Sequence, residues 1–269
     1  MIITREKRSR PSFSDPLAIC VAFYGVILSH FAWAEEGVKQ SAEQVESSFS
    51  LGIGAFSSES IYVGGKDQHR VLPLLSGHYK RFYFQGFELG ADLYRNSRVR
   101  VKLGIGGDFT GDKDRGDSDN LDDMKELDIA VLANLSMNYR SPIGLWTFGL
   151  AQDISNTHGG YKVSAGYGFP YGQGSWFIKP ELNVSWRSEN ALDYYYGVDA
   201  DEATSNRVAY KVNADIATKL SLQVGYLFSP KLMLMGGINQ TLYGDEIMNS
   251  PIVATDSSSR ALLMLNYKF

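Results

Sequence analysis

Alternation of apolar and polar side chains, the pattern of a strand with two unlike faces, recurs along most of the chain after residue 47. The cleanest stretch is Ser175–Arg187. Trp176, Ile178, Pro180, Leu182, Val184 and Trp186 fall on one face; Lys179, Glu181, Asn183 and Arg187 fall on the other, which is polar apart from Phe177. Trp176 and Trp186 are ten residues apart. At about 3.3 Å per residue and a tilt near 40°, that spacing is roughly 25 Å along a membrane normal, the height of an outer-membrane apolar band. The pattern predicts a strand that crosses a bilayer with a tryptophan at each interface, while Lys179, Glu181, Asn183 and Arg187 face a lumen.

Other stretches repeat the pattern. Leu127, Ile129, Val131, Leu135 and Met137 oppose Asp128, Asn134, Ser136 and Asn138; Val99, Val101, Leu103 and Ile105 oppose Arg98, Arg100 and Lys102; Tyr161, Val163 and Tyr167 oppose Lys162 and Ser164. Eleven segments are predicted, at 48–56, 70–80, 82–94, 98–109, 127–140, 144–154, 161–170, 175–188, 215–228, 231–243 and 259–269. Short connections fall at 95–97, 141–143, 171–174 and 229–230, and long ones at 110–126, 189–210 and 244–258. Short turns on one side and long loops on the other is the bacterial barrel pattern, with the short side periplasmic. A closed antiparallel barrel with both termini on one side needs an even strand number. Splitting 82–94 near Gly86 gives twelve, the favoured count, and discarding a weak segment gives ten. The fold class expected is therefore all-β, an antiparallel transmembrane barrel. Tyr267 and Phe269 close the last strand and resemble the C-terminal signal read by barrel-assembly machinery.

Composition changes this picture little. A mean hydropathy of -0.19 looks soluble, but lipid-facing and lumen-facing residues of a barrel cancel in the average. A net charge of -4 disfavours a nucleic-acid partner. The N-terminus reads as a signal peptide: Arg5, Lys7, Arg8 and Arg10 precede an apolar run from Leu17 to Phe31, and Ala32-Trp33-Ala34 supplies an A-x-A site. Ser29 and His30 interrupt the run, which argues against a membrane anchor. Cleavage after Ala34 would remove Cys20, the single cysteine, and leave a net charge of -6 with no thiol chemistry. The expected plan is signal peptide 1–34, a short periplasmic segment 35–47, and a barrel from 48 to 269.

Several loops carry a resemblance. Ser188-Glu189-Asn190 precedes Tyr194-Tyr195-Tyr196-Gly197; Asp245-Glu246 precedes Ser250-Pro251; Leu121-Asp122-Asp123 leads into a predicted strand; and Tyr267-Lys268-Phe269 ends the chain. In this order and spacing they resemble the MltA-interacting protein / outer-membrane protein V family. The resemblance implies a barrel in the outer membrane of a Gram-negative bacterium, without established catalytic residues or cofactors. It also implies a scaffold that joins a lytic transglycosylase to a peptidoglycan synthase. Outer-membrane lipid, lipopolysaccharide and the barrel-assembly machinery are the other expected partners.

The residues leave further readings open. The inward charges could line a diffusion pore, and the long loops could serve an adhesin. The tyrosine cluster fits either a contact surface or a cover over the barrel mouth. The acidic run 112–123 does not fit an EF-hand, because Gly116 falls on a ligand position and no glutamate closes the loop, so a solvated loop is expected. Arg115-Gly116-Asp117 matches an adhesion tripeptide, a weak signal. His158 lies near Asp153 and Ser155, as in many polar loops. No phosphate loop or H-E-x-x-H motif is present, and no catalytic, metal or cofactor residue is expected.

Overall fold

A computed structural model describes residues 47–112 and 114–269. The expected signal peptide 1–34, Cys20 and most of the expected segment 35–47 lie outside the described residues. Thirteen strand segments run in chain order: β1 (Ser47–Ser58), β2 (Gln68–Tyr79), β3 (Phe82–Gln85), β4 (Glu88–Arg95), β5 (Val99–Gly107), β6 (Val131–Ser141), β7 (Gly144–Asp153), β8 (Tyr161–Gly168), β9 (Tyr171–Gln173), β10 (Trp176–Arg187), β11 (Asp215–Ser229), β12 (Leu232–Leu242) and β13 (Ser257–Lys268). Neighbours pair antiparallel, and β13 returns to β1, with Leu51 opposite Tyr267 and Ala55 opposite Leu263. The sheet therefore closes and leaves no edge in lipid, where an unpaired backbone is costly.

The barrel has twelve wall positions, because β8 and β9 both pair with β10 and form one interrupted strand. The break, Phe169-Pro170, lies beside Pro180 of β10: the Phe169 N–H still reaches the Pro180 carbonyl at 3.0 Å, but Pro180 has no N–H to return. The stretch 171–174, expected as a turn, is thus mostly strand, and the turn is Gly174-Ser175. The predicted split of 82–94 falls at Gly86. Gly86 and Phe87 form a two-residue turn, with Gly86 at φ +61°, a conformation suited to glycine and to tight hairpins. Within β2, β3 pairs with Ser76–Tyr79 alone, so β2 extends well beyond this short hairpin. Pro73 falls in that extension, where a proline costs no bond with β3.

The alternation maps onto the wall. Leu182, Val184, Trp176, Leu103, Ile105 and Val163 are exposed on the outside, whereas Lys179, Glu181, Lys102 and Arg100 are buried within the barrel. A second expectation also fails. The strand predicted from Leu127 begins at Val131, because Leu127 turns into an apolar cluster above the mouth and is only 4% exposed. Inside the barrel, Phe56, Leu74, Met235, Leu262 and Met264 pack together on the β1–β2–β12–β13 side, with Leu72 and Phe177 against them. Most of the polar lumen faces the opposite walls, although Thr241 of β12 and Arg260 of β13 also reach it.

Candidate functional site

The long connections do not lie free. Ile61 and Tyr62, Leu121, Met124 and Leu127, Leu192, Tyr195, Tyr196, Val198 and Val212, and Ile247 and Ile252 come from four loops and form one buried cluster over the mouth. At its centre is helix α1 (Glu189–Tyr196). Ser188 precedes it and accepts the Tyr161 N–H at 2.9 Å through its hydroxyl, which ties the helix to β8. Glu189 and Asn190 are exposed in its first turn, where a glutamate complements the helix dipole. Tyr195 is 2% exposed and packs edge-on to His158. Tyr196 lies 6.0 Å from Tyr62, whose hydroxyl donates to the Tyr195 carbonyl at 3.3 Å. Burial pushes the hydroxyls of Tyr62, Tyr195 and Tyr196 above their ordinary range, so they remain neutral. A Cβ on Gly197 would run into the Asp193 carbonyl oxygen, so a larger residue would disturb the helix end.

The second motif loop meets the first. Ser250 is buried and donates to the Tyr196 carbonyl at 2.6 Å, and Pro251 leads into Ile252, which is fully buried. Asp245 starts the short helix α2 (Asp245–Met248). The Glu246 carboxylate accepts the Asn213 N–H at 3.1 Å, and its carbonyl accepts the Tyr210 hydroxyl at 3.0 Å. The acidic loop is part of the same cover: Asp123 takes both arms of Arg207 at 2.9 and 2.6 Å, and Lys66 reaches Asp117 at 2.9 Å. Arg115 is buried and donates to the Lys125 carbonyl, so the Arg115-Gly116-Asp117 triplet is not a displayed tripeptide. Among the described residues, no group of three or more acidic, histidine or cysteine side chains is arranged to hold a metal.

Nor do Ser155, His158 and Asp153 form a nucleophile–base pair. Ser155 donates to Asp153 at 2.6 Å, while the His158 Nδ1 accepts the Gly160 N–H at 2.9 Å. Asp153 also accepts the N–H groups of His158 and Gly159, the geometry of a capped loop.

Below the cover lies a cavity of about 350 Å³. Lys102, Lys162, Arg187, Lys219 and Arg260 line it, with Glu88, Asp108, Glu181 and Asp215. Asn183 lines it too, beside Lys219 in the β10–β11 register. Arg187 lies 3.5 Å from Asp108, and Lys179 donates to Glu181 at 2.8 Å. Burial alone would raise the Asp108 carboxyl, but Arg187, His158, Lys162 and Thr110 together outweigh it and hold the group well below the carboxylate range. Trp176 and Trp186 sit on the outer face at the two ends of β10, against Tyr226 at 4.7 Å and Tyr161 at 5.3 Å. Tyr267 and Phe269 face outward at the short-turn end, and Phe269 packs 5.6 Å from Phe49. The motif loops could be found in the sequence. Ile61, Tyr62 and Val212 could not, because they carry no periodic signal.

The family model described as MltA-interacting protein MipA matches residues 51–269. The chain belongs to the MltA-interacting protein family. Within that family it is 29% identical over 231 residues to the MltA-interacting protein of Escherichia coli (strain K12), covering 83% of this chain and 91% of that protein. It is 28% identical over 228 residues to outer membrane protein OmpV of Vibrio cholerae, covering 81% of this chain and 84% of the relative. Outer membrane protein Omp26La of Vibrio anguillarum is 29% identical over 211 residues, covering 75% and 79%. Among solved structures, the NanC porin aligns with 81% of this chain and 100% of its own, at 10% identity and a TM-score of 0.43. This family member is an outer-membrane β-barrel.

Proposed function

We propose that the protein is a lidded, non-conducting barrel that serves as an outer-membrane platform for murein-remodelling proteins, with a lytic transglycosylase and a peptidoglycan synthase as partners at its periplasmic end. The observation that carries this reading is the common apolar core of the four loops over the mouth. A mouth filled by a packed core favours work done on the outside of the cylinder over passage through it. The name of the Escherichia coli relative supports the choice of a transglycosylase partner. The end opposite the lid supports docking there. Its turns expose Lys80, Arg81, Arg98 and Lys231 and no carboxylate side chain among the described residues, so it suits an acidic partner surface.

Cross-linking in intact envelopes followed by affinity purification tests the reading. Recovery of a lytic transglycosylase, lost when Lys80, Arg81, Arg98 and Lys231 are changed to Ser, is the expected result. Finding neither murein enzyme among cross-linked species would contradict it. The polar cavity favours a second reading, a gated diffusion channel whose lid opens; discrete conductance steps in planar bilayers would support that reading instead.

A further inference from the structure

The four carboxylates that line the cavity are already engaged. Asp108 has Arg187, and Glu181 has Lys179. Glu88 accepts the Tyr83 hydroxyl at 2.6 Å and the Asn134 amide at 3.1 Å. Asp215 accepts the N–H groups of Glu246 and Ile247 at 2.9 and 3.3 Å. Three of the cations are not engaged in this way. Lys102 on β5, Lys162 on β8 and Lys219 on β11 reach the same cavity from three walls. Among the described residues, no carboxylate oxygen lies within 4.0 Å of any of the three ammonium groups, and none donates a hydrogen bond. Lys102 is 4% exposed, and its ammonium lies over the face of Tyr83, 5.0 Å from the ring centre.

Ammonium groups taken out of bulk water without an ion pair at contact distance are costly, and although the cavity carboxylates attract them from further off, two brought toward one space repel. A fold that engages its cavity carboxylates but leaves three lysines pointing into the same space holds a positive site awaiting a charge from outside. The volume of about 350 Å³ is at the small end of ligand cavities, too small for a polymer.

We propose that this cavity binds a small multivalent anion, a di- or tricarboxylate or a phosphate ester, with Lys102, Lys162 and Lys219 as its binding residues. Asn183, which lines the same space beside Lys219, adds a neutral donor. The site is independent of any murein partner, since it lies inside the wall and beneath the lid.

Isothermal titration of the purified barrel in detergent, with citrate, inorganic phosphate and uncharged glycerol as probes at fixed ionic strength, tests this. Saturable 1:1 binding of citrate or phosphate and none of glycerol is expected. Tighter binding of citrate assigns a carboxylate ligand, and tighter binding of phosphate assigns a phosphate ester. The double variant Lys162→Met/Lys219→Met should weaken that binding by at least about tenfold, whereas Lys162→Arg/Lys219→Arg should retain it. Folding of each variant is read from heat-modifiable electrophoretic mobility, and if the double Met variant does not fold, Lys219→Gln takes its place. Failure of both anions to bind the wild type, or equal affinity in wild type and the Met or Gln variant, would overturn the proposal.

Discussion

The Tyr194 hydroxyl holds both backbone groups of Asp128: it accepts the N–H at 2.6 Å and donates to the carbonyl at 3.2 Å. This contact joins α1 to the segment just before β6, next to the point where Leu127 enters the lid core. Tyr194→Phe keeps the ring packing and removes both bonds, each worth about 1 kcal/mol. Amide exchange at residues 121–129 should speed up by roughly tenfold or more, with the wall strands unchanged. Unchanged exchange there would mean that ring packing alone holds the segment.

Leu182 and Asn183 are neighbours on β10 that face opposite ways. Leu182 is 45% exposed on the outer face and pairs with Leu220 and Tyr167, while Asn183 lines the cavity. Leu182→Arg places a charge near the bilayer midplane, at a cost of about 2–4 kcal/mol, and Asn183→Arg should cost less. Folding yields into lipid vesicles, read by heat-modifiable mobility, should rank wild type, then Asn183→Arg, then Leu182→Arg.

The lid should loosen in acid. The hydrogen bond from Arg207 holds the Asp123 carboxyl below its usual range, and Asp108 is lowered likewise by Arg187 against the opposing effect of burial. A carboxyl lowered in the folded state contributes stability that is present above its unfolded value, near 3.9, and is lost as pH falls through the folded one. Proteolytic nicking of the loops should therefore be slow at pH 7 and rise below about pH 4. Asp123→Asn should speed nicking at pH 7 and shrink the acid response.

Much of the wall was legible because period two needs no long-range information. Gly86 marked the split hairpin, and the alternation around Leu182 separated outside from inside. Leu127 misled because its alternation runs on past the point where the chain leaves the sheet, and only the Tyr194 contact with Asp128 marks that point. The interruption at Phe169-Pro170 also went unread, since it depends on Pro180 lying opposite in a neighbouring strand. The motif loops were visible one by one, but their meeting was not: Ser250 and Tyr196 are 54 residues apart in sequence. For the same reason the cavity lysines stood out only as inward charges. Alternation assigns a side chain to a face but gives neither its height in the barrel nor the partners it meets across the lumen.

Single-channel recording in planar lipid bilayers tests the lidded, non-conducting barrel most directly. The wild-type protein should insert and give no sustained conductance steps, while a variant with residues 190–212 replaced by a short Gly-Ser linker, which removes the centre of the lid core, should conduct. Stable open steps from the wild type would contradict the sealed mouth and favour a diffusion channel.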